Sequence, residues 1–212
     1  MFDDRADAGR RLARALRSCH SEIGDQDVVV LALPRGGVPV GAEVAAALGC
    51  PLDIIVVRKL GVPWQPELAM GAIGENGARV IEDDIVATAR VSTDQLAAVE
   101  LRERRELAAR VASLRAGRER TSLAGKIAVI VDDGIATGAT ARVACAVARQ
   151  LGAAAVIVAV PVAPPGMVTV PGSDDLVCVA TPSPFIAVGV HYRDFSPPGD
   201  AEVTRLLSSF HA

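Results

Sequence analysis

The chain has 212 residues, half of them hydrophobic and 22% charged, and its formal net charge is −3. A chain of this length and composition can bury a sizeable core, which favours one domain with an appendage over two domains. Because the charge is nearly balanced and no block of like charge occurs, the composition excludes the basic surface by which proteins bind nucleic acids or anionic membranes.

An amphipathic helix is predicted from Asp4 to about Cys19, where apolar residues recur every three or four positions between arginines. We expect this helix to pack on the domain without taking part in chemistry. Its first residues contain no apolar signal-peptide core, and the sequence contains no uninterrupted run of about 18 apolar residues. We therefore expect a cytoplasmic protein without a membrane span. The four cysteines lack disulfide or metal-site spacing and are predicted to be reduced and mostly buried.

A glycine turn follows the first predicted strand, Val28 to Leu33, and leads into a helix closed by Gly49. The turn contains Arg35 and Gly36. Backbone amides at a helix N-terminus, together with a planar guanidinium, suit a phosphate or a pyrophosphate. An arginine-glycine turn taken alone is more often structural than functional, so the interpretation depends on its neighbours.

A basic pair, Arg58 and Lys59, ends the next predicted strand, Leu52 to Val57. At the same edge of a parallel sheet as the glycine turn, such a pair would neutralise the same anion. Without those neighbours, a solvated strand end would be an equally good interpretation.

The glycine- and proline-rich residues 60 to 78 predict a mobile loop, with a short hairpin around Ala69 to Ile73 that Arg79 to Ile81 completes. A loop of this length is usually functional or disordered. It contains no lysine or arginine, and its distinctive side chains are Trp64, Gln65 and Glu67.

A long helix is predicted from about Thr93 to Ala116, with Ser92 and Gln95 as a capping box. Its charges alternate in sign along the sequence. Such a pattern is typical of a solvated or subunit-contacting face, and we expect no catalytic role for it.

The most informative stretch begins with Ile127 to Val131, a β-branched apolar run typical of a strand covered on both faces in a parallel sheet. Asp132 and Asp133 follow it directly. A loop of small and hydroxylated residues, Ala136 to Thr140, then leads into a predicted helix from Ala141 to Leu151. Backbone N–H groups of such a loop can bind a phosphate at the positive end of the helix.

Two adjacent carboxylates beside a phosphate-binding loop indicate a ligand that carries a phosphate together with vicinal hydroxyls or a divalent metal ion. A ribose 5-phosphate fits both halves. The alternative is that Asp132 and Asp133 only end the strand and cap a turn, but their short offset from the loop favours a ligand. A phosphatase or other metal-dependent hydrolase with Asp132 as nucleophile would account for the carboxylates but not for the two loops.

Two further strands are predicted, Ala155 to Val160, closed by Pro161, and Leu176 to Ala180, with a short helix from Pro164 to Met167 between them. The C-terminal segment concentrates ring-bearing side chains in a chain with few aromatics. They either stack on a heterocyclic base or pack the terminal segment. These side chains are Phe185, His191, Tyr192 and Phe195.

The central stretch, VIVDDGIATGAT, resembles the motif that binds phosphoribosyl pyrophosphate (PRPP) in type I phosphoribosyltransferases. Arg35 and Gly36 match the pyrophosphate loop of that family, which often contains a strained peptide bond. Lys59, and less closely Arg58, matches a basic pair that reaches the pyrophosphate in some members. The N- and C-terminal stretches are also similar to a bacterial subgroup of predicted members.

The resemblance implies an α/β fold, with a mainly parallel sheet, helices on both faces and a small hood that holds the acceptor. It implies one domain over residues 1–212, a core at about 28–180, a hood from about 1–20 and 181–212, and a flexible lid at about 60–78.

The implied reaction is transfer of the 5-phosphoribosyl group of PRPP to a nitrogen acceptor, a nucleobase or related amine, with Mg²⁺ as cofactor and release of pyrophosphate. Asp132 and Asp133 would hold the ribose hydroxyls, Asp133 also in the metal environment. Arg35, Gly36 and Lys59 would bind the pyrophosphate; the catalytic residues would be Arg35, Lys59, Asp132 and Asp133. The 5-phosphate would be bound by Ala136, Thr137, Gly138, Ala139 and Thr140.

Ala136 bears on the acceptor, because members that act on 6-oxopurines typically have an aspartate at this position. Hypoxanthine and guanine are therefore disfavoured, and Glu67 is the nearest candidate for a proton acceptor. The resemblance also implies a homo-oligomer, a dimer, and a place in nucleotide metabolism. The alternative function is a non-catalytic PRPP-binding regulator or sensor, which the uncharged lid favours and the retained Arg35 and Lys59 disfavour.

Overall fold

The computed structural model describes residues 1–23 and 27–210. Six α-helices and eight strands occur in this described part of the chain. In order they are α1 (Arg5–Cys19), β1 (Val28–Ala32), α2 (Gly37–Leu48), β2 (Leu52–Ile54), β3 (Val57–Val62), β4 (Gln65–Gly74), β5 (Arg79–Ile81), α3 (Asp83–Thr88), α4 (Thr93–Arg115), β6 (Ile127–Val131), α5 (Ala139–Gln150), β7 (Ala155–Val162), β8 (Asp175–Ala180) and α6 (Asp200–Ser208).

A five-stranded parallel sheet in the order β2-β1-β6-β7-β8 forms the centre of the fold. Its strands are covered on both faces, as their continuous apolar sequences predict. In β1, Val28 and Val30 belong to a core shared with α1 and α2, whereas Val29 and Leu31 belong to a second core shared with α5. The predicted α/β fold with helices on both faces is confirmed.

The order of the strands brings the two predicted loops together. β1 and β6 are parallel neighbours, with Ala32 paired to Val131 in the register, and the N–H of Leu33 donates to the carbonyl of Val131 at 2.9 Å. Both strands therefore end at the same edge of the sheet. The turn with Arg35 and the pair Asp132 and Asp133 start from that edge side by side.

The region after β2 differs from the prediction. The predicted strand from Leu52 to Val57 ends at Ile54, and Arg58 and Lys59 lie within β3, not at the end of a parallel strand. β3, β4 and β5 form a three-stranded antiparallel sheet, so the predicted hairpin is much longer than the stretch around Ala69 to Ile73.

The glycines of β4 explain why this stretch was wrongly predicted as a loop. A Cβ at Gly71 would lie 2.5 Å from the carbonyl oxygen of Val80, and one at Gly74 would lie 2.6 Å from a methyl of Val147. These glycines permit close packing and do not mark a turn. The expected mobility of residues 60–78 stays a prediction.

The long helix α4 has the predicted capping box between Ser92 and Gln95. Its charges, however, do not all face solvent. Glu103, only 8% exposed, accepts hydrogen bonds from the Arg58 guanidinium, and Arg115 pairs with the buried Asp53 at 2.9 Å. The prediction of a purely solvated or subunit-contacting face is therefore wrong for these residues, which join α4 to β2 and β3.

Smaller differences concern the ends of elements. β7 continues through Pro161 to Val162, and a turn replaces the helix predicted from Pro164 to Met167. The helix after the central motif begins at Ala139, two residues earlier than predicted. All four cysteines are free, as predicted, but only Cys145 is fully buried. Among the described residues, no helix combines the length and the apolar character that crossing a membrane requires.

Candidate functional site

A cavity of about 170 Å³ lies at the carboxyl edge of the parallel sheet. Residues from three separate parts of the chain line it: Lys59 from β3, Asp132 and the following residues after β6, and Val188 from the C-terminal segment. Ligands of open parallel sheets bind at this edge. The lining residues are Lys59, Asp132, Gly134, Ile135, Ala136, Thr137, Gly138, Ala139, Thr140, Ala141 and Val188.

The loop of residues 136–140, named the phosphate loop here, occupies one wall of this cavity. Gly138 precedes α5 with φ 80°, in the left-handed region that favours glycine. The first turn of α5 contains no acidic residue to offset the positive end of the helix dipole. Ala136 and Thr137 are exposed. The loop therefore offers backbone N–H groups and hydroxyls to an anion in the cavity.

Asp132 lies between the phosphate loop and the end of β1. Its Oδ1 accepts a hydrogen bond from the backbone N–H of Asp133 at 2.9 Å. Burial and the neighbouring Asp133 charge raise the pKa of Asp132 well above its usual value, although Arg5 and Lys59 act in the opposite direction. A ligand that brings hydroxyl donors or a cation would favour the ionised form of this carboxylate.

Asp133 has quite different surroundings. The Nε and Nη2 groups of Arg5 both donate to its Oδ2, at 2.9 and 2.8 Å, and the hydroxyl of Tyr192 donates to its carbonyl at 2.6 Å. Burial raises the pKa of Asp133, and the hydrogen bonds and charge of Arg5 oppose that shift. Asp133 does not line the cavity, in contrast to Asp132.

The turn with Arg35 and Gly36 packs directly against these two carboxylates. A Cβ at Gly36 would lie 2.0 Å from Asp133 Oδ2, and one at Gly37 would lie 3.3 Å from Asp132 Oδ1. Only glycine leaves this space free. The peptide bond between Pro34 and Arg35 is cis.

Of the basic residues predicted for the pyrophosphate, only Lys59 lines the cavity. The exposed Arg35 side chain lies 3.7 Å from Asp200 at the start of α6. Arg58 is bound to Glu103 at 2.6 Å and belongs to the packing of α4. Glu67, the candidate proton acceptor, is exposed in the outer half of β4 and does not line the cavity.

Two residues that contact the site were missed by the sequence analysis. Arg5 begins the helix that was expected to pack on the domain without taking part in chemistry, and it contacts Asp133. Tyr192 was singled out as an aromatic, but its hydroxyl contact was not foreseen. Their separation from Asp133, by 128 and 59 residues, left no local signal by which the contacts could be found.

The C-terminal aromatics pack mainly against the N-terminus. The rings of Phe2 and Tyr192 lie 5.3 Å apart, and those of Tyr192 and Phe195 lie 5.0 Å apart. Phe185 stacks on His191. Of the two predicted uses of these aromatics, packing of the terminal segment is thus observed for the group around Tyr192. That the two terminal segments form a hood for an acceptor stays a prediction.

The carboxylates at this edge of the sheet provide a small donor set for a cation. Within residues 1–23 and 27–210, no group of three or more His, Cys, Asp or Glu residues could hold a metal ion. Mg²⁺ usually takes one or two protein carboxylates and completes its coordination with water and substrate oxygens. Asp132 and Asp133 fit that pattern, and do not fit a metal held by protein alone.

Comparisons with known proteins agree with this geometry. Residues 2–194 match the phosphoribosyl transferase domain. The "Putative phosphoribosyl transferase" of Mycobacterium tuberculosis, in two strains, is 53% identical over 213 aligned positions, which cover 100% of this chain and 47% of that protein. The chain therefore spans about half the length of these relatives. The crystal structure of TT1426 from Thermus thermophilus superimposes with a TM-score of 0.80 at 37% identity, and 100% of each chain is covered.

Proposed function

The chain belongs to the phosphoribosyl transferase domain family, and we propose that it moves the 5-phosphoribosyl group of PRPP to a nitrogen acceptor and releases pyrophosphate in the presence of Mg²⁺. The acceptor class is a nucleobase or a related amine. The proposal includes the residues that bind each part of PRPP and the direction in which charge moves during the reaction.

One observation carries the proposal: Lys59, Asp132 and the phosphate loop line a single cavity although they come from separate parts of the chain. A cation, a carboxylate and a cluster of backbone N–H groups are the three kinds of group that a pyrophosphate, a ribose and a phosphate need. If Asp132 and Asp133 only ended the strand and capped a turn, there would be no reason for Lys59 to line the same cavity.

The 5-phosphate is assigned to the phosphate loop. Its backbone N–H groups and the hydroxyls of Thr137 and Thr140 would donate to the phosphate oxygens, and the dipole of α5 would favour their negative charge. Gly138 allows the chain to turn tightly around the phosphate because of its left-handed backbone conformation.

The ribose hydroxyls are assigned to Asp132 and Asp133, whose ionised carboxylates accept hydrogen bonds. Asp132 is the better placed of the two, because it lines the cavity. The pyrophosphate is assigned to Lys59, the Gly36 amide and Arg35. To reach the pyrophosphate, the Arg35 side chain would have to leave its ion pair with Asp200. Because that pair is 3.7 Å long and both side chains are about half exposed, breaking it costs little free energy.

The chemical step is substitution at C1 of the ribose. The lone pair of the acceptor nitrogen forms the new bond to C1, the bond from C1 to the pyrophosphate oxygen breaks, and the pyrophosphate leaves with that electron pair. Positive charge grows on the sugar near Asp132 while negative charge grows on the leaving group near Lys59, so both charges are met by fixed groups. When bound, Mg²⁺ would supply further stabilisation of the pyrophosphate.

A proton leaves the acceptor nitrogen during or after substitution, and we propose Glu67 as its acceptor. Glu67 is exposed at the outer end of β4, so this role requires the hairpin of β3 and β4 to close over the cavity. Ala136 at the mouth of the phosphate loop offers no carboxylate to a purine N7. Hypoxanthine and guanine are therefore disfavoured as acceptors.

A second candidate is a PRPP-binding regulator without turnover. It is favoured by residues 60–78, which contain no lysine or arginine that could stabilise the leaving group on closure. A regulator would use the same cavity, but it would bind PRPP without releasing pyrophosphate.

The test is an assay of pyrophosphate release from PRPP and Mg²⁺, with nucleobases and related amines offered one at a time and PRPP binding followed by calorimetry. Release that depends on one acceptor supports the transferase, and binding without release supports the regulator. Asp132→Asn should abolish both signals, whereas the matched control Glu119→Gln, at an exposed carboxylate outside the cavity, should change neither. A wild-type chain that does not bind PRPP would overturn both functions.

A further inference from the structure

We propose that Arg5 is a positioning residue of this site: its guanidinium fixes one oxygen of Asp133 and leaves the other for the ribose or its cation. The inference rests on the proposed function, because PRPP and Mg²⁺ would supply the partner of that second oxygen. The inference gives the N-terminal helix α1 a role at the site, in addition to the roles of the phosphate loop and the glycine turn.

The contact between Arg5 and Asp133 is one-sided. Both Nε and Nη2 of Arg5 donate to the same oxygen, Oδ2, at 2.9 and 2.8 Å. A carboxylate oxygen accepts about two hydrogen bonds, so Oδ2 is saturated. In the described part of the chain, no other residue donates a hydrogen bond to Oδ1. The guanidinium thus holds one oxygen of the carboxylate, and the Asp133 side chain, although outside the lining of the cavity, is still 15% exposed.

The remaining contacts of Arg5 are also with protein atoms. Its remaining nitrogen, Nη1, donates to the carbonyl of Ser196 at 2.8 Å, and its Cζ lies 3.9 Å from the centre of the Phe195 ring. Arg5 is only 8% exposed. All three guanidinium nitrogens therefore have protein partners, and the proposed effect of Arg5 on the ligand is exerted through Asp133.

The pair is held from several directions. Asp4 caps α1 by accepting from the N–H of Asp7 at 2.7 Å, which fixes the start of the helix just before Arg5. Gly36 lies against the pair on another side, where a Cβ would come within 2.0 Å of Asp133 Oδ2. The Tyr192 hydroxyl holds the Asp133 carbonyl. Both the backbone and the carboxylate of Asp133 are thus fixed before a ligand arrives.

Such preorganisation affects binding and rate because a carboxylate that rotates freely must be ordered by the ligand. Without Arg5, the carboxylate of Asp133 would lose the two hydrogen bonds that fix its orientation. We therefore expect the affinity for PRPP and the value of kcat/KM to fall by about tenfold or more. A lysine would preserve the cation but not the two parallel N–H donors, and we expect an intermediate loss.

The experiment compares Arg5→Ala and Arg5→Lys with a matched control, Arg193→Ala. Arg193 also joins the terminal segments, through a 2.7 Å pair with Asp3, but both side chains are exposed and neither contacts Asp133. PRPP affinity is measured by calorimetry with and without Mg²⁺, the melting temperature by circular dichroism, and kcat and KM by pyrophosphate release. Guanidinium at millimolar concentration is then added to Arg5→Ala.

If Arg5 positions Asp133, affinity falls in Arg5→Ala and less in Arg5→Lys, Arg193→Ala keeps wild-type affinity, and guanidinium restores part of the loss. Wild-type affinity in a folded Arg5→Ala would overturn the proposal. Should that variant not fold, wild-type affinity and kcat in Arg5→Lys would overturn it equally. A wild-type chain that fails to bind PRPP would instead disprove the proposed function, so the two failures are distinguishable.

Discussion

The two sides of the candidate site are built in opposite ways. On the closed side, Arg5, Asp133 and Tyr192 meet one another, and their polar groups are bound to protein atoms. On the open side, Lys59, Asp132 and the phosphate loop line a cavity, and Asp132 is the only carboxylate among the described residues that line it. On the closed side, Arg5 and Asp133 Oδ2 already have protein partners, whereas the open side offers groups whose partners a ligand would supply.

This contrast is sharpest between adjacent residues, Asp132 and Asp133. Both are carboxylates in partly buried positions at the end of β6, but an arginine compensates only the second directly. An uncompensated buried carboxylate lowers the stability of the fold and is retained where function needs it. A paired one supports the fold. The same chemical group is thus without a direct arginine partner at one position and paired at the next.

Replacing each of the two aspartates in turn by asparagine should give the largest difference in the free energy of unfolding. Asp133→Asn leaves Arg5 buried without its counter-charge, and we expect the free energy of unfolding to fall by roughly 3 kcal/mol. Asp132→Asn removes an unfavourable buried charge, so the free energy of unfolding should stay the same or rise. Urea unfolding of both variants at neutral pH measures the difference. Equal losses in the two variants would contradict the division into a closed and an open side.

The pH dependence of stability should reveal the raised pKa of Asp132, with a smaller effect than the asparagine comparison. Because the pKa of Asp132 is raised in the folded chain, its neutral form is favoured by folding. Its contribution to stability is therefore present below the unfolded pKa, near 3.8, and is lost as pH rises through the higher folded value. As the pH rises from the unfolded pKa to the folded pKa of Asp132, the Asp132→Asn variant should gain stability relative to the wild-type chain. Urea unfolding of both proteins at a series of pH values measures this gain. If the difference in the free energy of unfolding does not change with pH, the pKa of Asp132 is not raised in the folded chain.

Most of the open side could be predicted from the sequence because Asp132 and the phosphate loop are close together in the chain. Asp132 and the phosphate loop follow β6 within a few residues, and the apolar run of β6 fixes the edge of the sheet at which they lie. Lys59 lines the same cavity, although it lies within β3 and not, as predicted, at the end of a parallel strand.

The closed side could not be predicted in the same way, because it depends on contacts between distant parts of the chain. Arg5 resembles the other arginines of an amphipathic helix, and only the packing of both terminal segments brings it to Asp133. Gly36 was interpreted as a source of backbone amides, while the structure shows a second reason for glycine, the space needed by Asp133 Oδ2. In the hairpin, the glycines that permit close packing were mistaken for signs of a loop.

The smallest expected effect lies in the phosphate loop, at Thr137. This exposed residue lines the cavity, and no hydrogen bond of its side chain to the described part of the chain is found. Thr137→Val should therefore leave the melting temperature unchanged. It should weaken PRPP binding by roughly fivefold, because one neutral hydrogen bond contributes about 1 kcal/mol. Calorimetry with Mg²⁺ measures the loss, with Thr181→Val, at an exposed threonine outside the cavity, as control. Equal affinities in the two variants would remove Thr137 from the phosphate site, while a lower melting temperature would show that the open side also supports the fold.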